Sequence, residues 1–281
     1  MTARQLIAST LAATCRAAPF ERGRWRIGSL ASRVLEGGVL PRQRRTVSTR
    51  HGFAMSLDLG QLVDRSIYCQ GEWEPLETAL FAQILRPGDG VADVGANIGW
   101  FSLLAARLVG TGGAVHSFEA NHATHGLLQD NLALNACGNV TAHWLAVGES
   151  EGLARIAPRE AGNAGADGVE LANAGDDTVR LVRLDQVLAG VPLRLVKLDI
   201  EGWEAKALRG AEGLLARAEA PDLVFEFTPE FLHAAGDDPR DLIGWIAGLG
   251  YRVQVVDKAG MHAPDDALYS RRQSYLYCTR G

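Results

Sequence analysis

The chain is poor in cysteine: four cysteines in 281 residues (Cys15, Cys69, Cys137 and Cys278) stand far apart and form no CxxC pair. That spacing argues against a zinc ribbon or a disulfide framework, so a reducing compartment, and with it a cytoplasmic protein, is expected. Long apolar runs are also missing. The stretch QLIASTLAATC contains Gln, Ser and Thr; it is too short to span a bilayer and makes a poor signal peptide. The chain has no internal repeat and no low-complexity tract. The G-x-G-x-x-G of dinucleotide-binding turns does not open its first strand–turn–helix unit, whose glycines are spaced G-x-x-x-G instead.

Hydrophobic content of 47% and charged content of 22% are ordinary for a globular protein, and the length allows one large domain plus an appendage. The net charge of -5 conceals an asymmetry. Residues 1–50 hold ten arginines against Glu21 and Glu36, a balance of +8 that leaves -13 for the rest. Residues 1–45 are therefore read as a basic, partly helical arm docking on the acids of the body. The same charge would suit an anionic glycan or a peripheral membrane contact, while nucleic acid is not expected as a partner.

Helical spacing is visible over 4–18 and 28–36, and TVSTRHGFAMSLDLG suggests a short hairpin. EPLETALFAQILRPGDG then reads as a helix with Pro75 in its first turn and a stop at Arg86, Pro87 and Gly88. Residues 46–88 form this lead-in, and 89–281 form the core of a domain spanning 46–281. In the core, apolar strands at 91–95, 114–119, 140–146, 193–199 and 222–227 alternate with helices at 100–109, 123–135, 203–218 and 238–248. The expected fold is α/β: a doubly wound, Rossmann-like, mostly parallel sheet. A longer insert lies at 147–192, and YRVQVVD and SYLYCT should close the sheet as an antiparallel pair.

The turn DVGANIG places Asp93, Gly95, Asn97 and Gly99 between the first strand and its helix. Ligands of open parallel sheets lie beyond the carboxyl ends of the strands. The glycines would let a ligand approach the backbone, and the helix start favours an anion. Glu119 follows Gly95 by 24 residues, at the end of the second strand, where a carboxylate can accept from both hydroxyls of a ribose. An acid two residues before the first glycine would repel pyrophosphate but suits a cationic head. A nucleoside joined to an amino acid is S-adenosylmethionine. In that reading its ammonium faces Asp93, its carboxylate lies over the helix start and its ribose meets Glu119. Ala120 and Asn121 beside the acid, and Ala146 and Val147 at the end of the third strand, complete the cofactor set.

DVGANIGWFSLLAA, HSFEANHATHGLLQDNLALN, LAVGE and LVKLDIEGWEAKALRGAEGLL followed by LVFEF resemble the FkbM family of S-adenosylmethionine-dependent methyltransferases. The most specific part is K-x-D-x-E-G-x-E with L-x-G: Lys197, Asp199, Glu201, Gly202, Glu204, Leu208 and Gly210. Gly71, Trp73 and Glu74 match the family's G-x-[YW]-E ahead of the first strand. Gly95, Asn97 and Gly99 match its glycine turn. Ala120 stands where the family often has Pro.

The resemblance implies methyl transfer to a hydroxyl of a sugar, a glycan or a secondary metabolite. Asp199 or Glu201 would be the general base, and Lys197 would pair with a carboxylate or orient the acceptor oxygen. A scaffolding role competes with this: Glu201 capping a helix, Glu204 pairing with a basic neighbour, Lys197 in a buried ion pair. Carboxylates at this strand end are compatible with a divalent metal, but no ligand set stands out in the sequence and none is assigned. Two other functions compete, a nicotinamide-dependent oxidoreductase and a non-catalytic cofactor-binding module. The glycine spacing and the terminal strand pair disfavour the first, and the intact KLDIEG disfavours the second. N-methylation is disfavoured because no Asn/Asp-Pro-Pro-aromatic stretch follows the fourth strand.

Overall fold

The computed structural model describes residues 3–18, 24–36, 44–157, 168–173, 175 and 177–280. Helices α1 (Ala3–Ala17) and α2 (Arg24–Glu36) lead into a hairpin of β1 (Arg44–Ser48) and β2 (Ala54–Asp58). Helices α3 (Leu62–Gln70) and α4 (Pro75–Ile84) follow. Strands and helices then alternate as β3 (Gly90–Val94), α5 (Trp100–Val109), β4 (Ala114–Phe118), α6 (His122–Leu134) and β5 (Val140–His143). The insert contributes β6 (Ala146–Val147), β7 (Gly152–Ala157), β8 (Gly168–Leu171), β9 (Thr178–Val182) and α7 (Leu184–Val187). After it come β10 (Leu195–Leu198), α8 (Glu204–Arg209), α9 (Glu212–Leu215) and β11 (Asp222–Phe227). Last are α10 (Pro229–Ala234), α11 (Pro239–Gly248), β12 (Arg252–Asp257), β13 (Gly260–His262) and β14 (Ser274–Thr279).

The main sheet runs β13-β12-β14-β11-β10-β3-β4-β5. Its five strands from β11 to β5 are parallel, and β14 is antiparallel to both β11 and β12. β10 and β11 are buried along their whole length; their near-continuous apolar runs are what a sheet covered on both faces requires. Alternation divides β3 between two cores. Val91 packs on the side of Phe101, Leu103 and Phe81, while Ala92 and Val94 pack with Leu208, Leu215 and Ile246. Asp93 and Lys197 fall on the first side, and the register sets them directly opposite each other.

The terminal pair expected from sequence is present as β12 and β14, with β14 inserted next to β11 and the short β13 at the edge. Three details depart from the expectation. The third strand stops at His143, and Ala146 and Val147 instead join a second sheet of order β6-β9-β7-β8 built by the insert. The single helix expected at 203–218 is two short ones, broken where a Cβ on Gly210 would lie 1.9 Å from the Gly148 carbonyl oxygen. Helix α3 was not foreseen. The loop at 155–169, whose glycines and polar residues suit a mobile lid in sequence, has its centre outside the described residues; its flanks belong to strands β7 and β8.

Helices α1 and α2 pack on each other and on α3. Ala8, Ala12, Ala31 and Leu35 are buried in one cluster with Met55, Leu57 and Ile67. Arginines here reach carbonyls as well as acids: Arg16 of the arm donates to the Tyr68 carbonyl, Arg44 meets Asp130 at 3.5 Å, and Arg50, in the lead-in, donates to the arm's Arg16 and Ala18 carbonyls. No helix among the described residues is long and apolar enough to cross a membrane.

Candidate active site

The order in which the chain adds parallel strands reverses between β3 and β10, and a cleft of about 850 Å³ opens beyond their carboxyl ends. This is the position the topology favours for a ligand. Gly95, Asn97, Glu119, Ala120, Asn121, Ala146 and Val147 line it, as do Lys197, Asp199 and Glu201. One end is apolar, formed by Phe118, Leu145, Ala146 and Val147 with Ile156 and Val169 from the second sheet. At its middle Glu119 accepts from the backbone N–H of Asn97 at 2.9 Å and of Asn121 at 2.8 Å. Those bonds fix the carboxylate in the cleft. Asn97 adopts a left-handed backbone (φ 49°), which Asn tolerates better than most residues.

Asp93 is the clearest departure from the sequence reading. It does not line the cleft and is fully buried. Its Oδ2 accepts from the Ser102 hydroxyl at 2.6 Å, which in turn accepts from Ser117 at 2.7 Å, and Lys197 Nζ stands 3.8 Å from its Oδ1. Burial pushes the Asp93 carboxyl above the usual carboxylate range, against Lys197 and the Ser102 hydroxyl and backbone N–H, which favour its ionised form. The anion at the start of α5 is therefore the protein's own, and a ligand ammonium must find another acid.

The two glycines also serve the protein's own packing. A Cβ on Gly95 would lie 1.9 Å from the Asp199 carbonyl oxygen, and one on Gly99 would lie 2.7 Å from a Leu128 methyl; both have positive φ, 82° and 95°. Gly99 does not line the cleft. His122, His125 and His143 do not line it either; His143 stacks on Phe118 with ring centroids 4.6 Å apart.

Lys197 is 4% exposed and lies over the Phe101 ring at 4.7 Å. It donates to Asp199 Oδ2 at 3.1 Å. Burial opposes its charge, but Asp199, Asp93 and Glu74 together hold its pKa above the ordinary lysine value. Glu204, read from sequence as an ion-pair partner, accepts from the Ile200 backbone N–H at 2.9 Å and ties α8 to the KLD turn. Glu201 lines the cleft with a left-handed backbone (φ 55°). Such strain clusters at sites where surrounding structure holds a residue in place for use.

A second, acid-lined cavity of about 1550 Å³ shares Val63, Trp73, Asn97, Asp199 and Glu201 with the first. It adds Glu74, Glu226 and Glu230, and the one basic residue among its described lining is the exposed Arg272. Glu74 has a third strained backbone (φ 42°) and accepts from the Tyr275 hydroxyl. Burial, and then Asp199, push the Glu74 carboxyl up to about 8. Burial, then Asp199 and Glu201, push Glu226 up to about 10.

The sequence reading did not include Glu226, Tyr275 or Gln273 in the site. The signal for Glu226 was there: it is an internal acid in DLVFEF, a strand that otherwise reads as core. Trp73 is half-buried where the cavities meet, whereas Trp100 is buried and donates to the Thr78 hydroxyl at 3.0 Å. Trp203 is buried beneath the Lys206 ammonium.

A doubly wound sheet that ends in an antiparallel insertion next to its fifth parallel strand, with a ligand-sized cleft at its switch point, defines the Rossmann-like methyltransferase class. Within it the chain belongs to the FkbM methyltransferase family: the model described as Methyltransferase FkbM domain matches residues 93–253. Among solved structures, methyltransferase FkbM from Methylobacillus flagellatus KT is 18% identical with a TM-score of 0.46, over 76% of this chain and 52% of that one. The present chain thus spans about half the length of that protein. A SAM-dependent O-methyltransferase from Thermotoga maritima is 13% identical with a TM-score of 0.45, over 86% and 94% of the two chains. A putative rRNA-methylase from Clostridium thermocellum is 14% identical with a TM-score of 0.46, over 75% and 98%. No curated protein matches the chain.

Proposed function

We propose that the chain is an S-adenosylmethionine-dependent O-methyltransferase acting on a hydroxyl of a sugar, a glycan or a secondary metabolite. The observation that carries this reading is that Asp199 and Glu201 border both cavities. A group held in the first therefore meets whatever occupies the acid-lined second at these two side chains. The residues of the first cavity fit the cofactor. Phe118, Ala146 and Val147 form an apolar slot for a flat base, and Glu119 stands where a ribose diol would be held. Asp199 and Glu201, rather than the withdrawn Asp93, present negative charge to a cationic head.

When bound, S-adenosylmethionine supplies a methyl carbon already activated by its sulfonium. The protein's part is then alignment and proton removal. Lys197 fixes Asp199 from within the core, and Asp199 or Glu201 accepts the hydroxyl proton as the oxygen attacks, a contribution of roughly 10²–10⁴-fold.

Two measurements test the reading. Calorimetry with S-adenosylhomocysteine is expected to show micromolar binding that weakens at least about tenfold in Glu119→Ala, since charge-assisted hydrogen bonds of about 1.5–3 kcal/mol are lost. Glu119→Gln keeps an acceptor for only one of the Asn97 and Asn121 N–H groups, so thermal unfolding of both variants without ligand separates lost ribose contacts from a disturbed turn. Absence of binding to the wild type, or equal binding by both variants, would overturn the cofactor assignment. Transfer of a labelled methyl group into an extracted glycan or metabolite pool is expected to slow by about 10²–10⁴-fold in Asp199→Asn. An unchanged rate would remove Asp199 from the chemistry.

A further inference from the structure

Strands β10 and β11 run parallel with Lys197 beside Val224 and Leu198 beside Phe225. Continuing that register brings Asp199, just past β10, next to Glu226 near the end of β11. Glu201 joins them through its left-handed turn (φ 55°). One carboxylate oxygen from each of Asp199, Glu201 and Glu226 lies within 4.8 Å of the other two. Oxygens on opposite sides of a hard cation stand about 4–5 Å apart, twice a metal–oxygen bond of about 2.0–2.6 Å.

A second observation concerns Glu226 alone. The residue is only 6% exposed. Gln273 donates to its Oε1, but its Oε2 is buried with no hydrogen-bond partner. A buried carboxylate oxygen without a donor is costly. Among the described residues that line the two cavities, Lys197 is shared between Asp93 and Asp199, and Arg272 is exposed.

We propose that Asp199, Glu201 and Glu226 hold a hard divalent cation, Mg²⁺ or Mn²⁺, at the junction of the two cavities. The all-oxygen set, without His or Cys, selects this class over zinc or copper. Three carboxylates leave coordination positions open toward the cavities, where Mg²⁺ usually keeps waters or takes substrate oxygens. Resting on the O-methyltransferase reading, the cation would take the acceptor hydroxyl as a ligand and favour loss of its proton. An acceptor with a second oxygen beside that hydroxyl, as in a vicinal diol or a hydroxy acid of a glycan, would bind at two positions. The proton would pass to the carboxylate oxygen of Asp199 or Glu201 that does not hold the cation, since each residue gives it one oxygen.

The site is tested on the full chain after chelation and removal of metals, by titrating Mn²⁺ and following the free ion by electron paramagnetic resonance. One saturable Mn²⁺ per chain is expected, displaced by Mg²⁺. Glu226→Gln should weaken it at least tenfold while S-adenosylhomocysteine still binds, which also shows that the variant is folded. Glu201→Gln, changed at a less buried position, should weaken it in the same way. No saturable Mn²⁺ in the wild type, or unchanged affinity in both variants, would overturn the proposal. The two readings fail separately: S-adenosylhomocysteine binding without Mn²⁺ removes only the metal, and Mn²⁺ binding without S-adenosylhomocysteine removes only the methyltransferase reading.

Discussion

Lys197→Met is expected to destabilise the protein by about 3–5 kcal/mol, because it leaves a buried carboxylate without its cation. Asp93 is fully buried, and with Lys197 removed it keeps the hydrogen bond from the Ser102 hydroxyl but no cation at its side. Methionine keeps the length and the contact with Phe101, so lost packing contributes little. Urea unfolding with a two-state check gives the free energy, and thermal unfolding should shift down by roughly 6–20 °C for a chain of this size. The combination with Asp93→Asn should recover part of the loss, because the charge that needed the lysine is gone. Such non-additivity is the signature of direct coupling. A loss below about 1 kcal/mol for the single variant would mean that the Lys197–Asp93 pair does not hold this row together. Asp199 also loses its 3.1 Å partner, so the stability measurement belongs before any reading of turnover in this variant.

The contrast between Asp93 and Asp199 shows what was legible in the sequence. Both precede a glycine at the end of a buried strand, DVG in one case and DIEG in the other. From sequence Asp93 was the ligand acid, yet it is the one turned into the core. Strand alternation tells which residues share a face but not which face is open. That was decided by α5, whose Ser102 and Phe101 cover Asp93 and Lys197. The sheet itself was readable, because parallel strands buried on both faces are written as short apolar runs between glycine turns.

The second sheet was not readable. Ala146 and Val147 continue the apolar run of the third strand, and their pairing with Leu181 and Val182 separates them from it. Residues that meet across long separations were the hardest to see. Glu74 and Tyr275 are 201 positions apart, and Glu226 comes to Asp199 only through the β10–β11 register. The acid-lined cavity is assembled from six separated stretches of the chain, none of which carries a local sign of the others.

Gly95→Ala separates two explanations of the same glycine. If Gly95 served only to let a ligand approach, the variant would fold normally and lose S-adenosylhomocysteine. The geometry leads to a different expectation. The new Cβ would sit 1.9 Å from the Asp199 carbonyl oxygen, in a backbone with φ 82°. The left-handed conformation costs an alanine about 1–2 kcal/mol, and relieving a clash with backbone costs about 1–3 kcal/mol more. A loss of about 2–5 kcal/mol is therefore expected with no ligand present. Strand β10 must move for the methyl group to fit, and Asp199, whose N–H bonds the Val94 carbonyl at 3.0 Å, moves with it. S-adenosylhomocysteine binding should then fall at least about tenfold, because the acid end of the cleft is displaced along with the turn. Unfolding measured without ligand and calorimetry with S-adenosylhomocysteine read the two effects independently. Wild-type stability with lost binding would return Gly95 to the ligand. Lost stability in the empty protein would assign it to the contact between β3 and β10, making the carbonyl of one candidate catalytic residue the reason for a glycine 104 positions earlier in the chain.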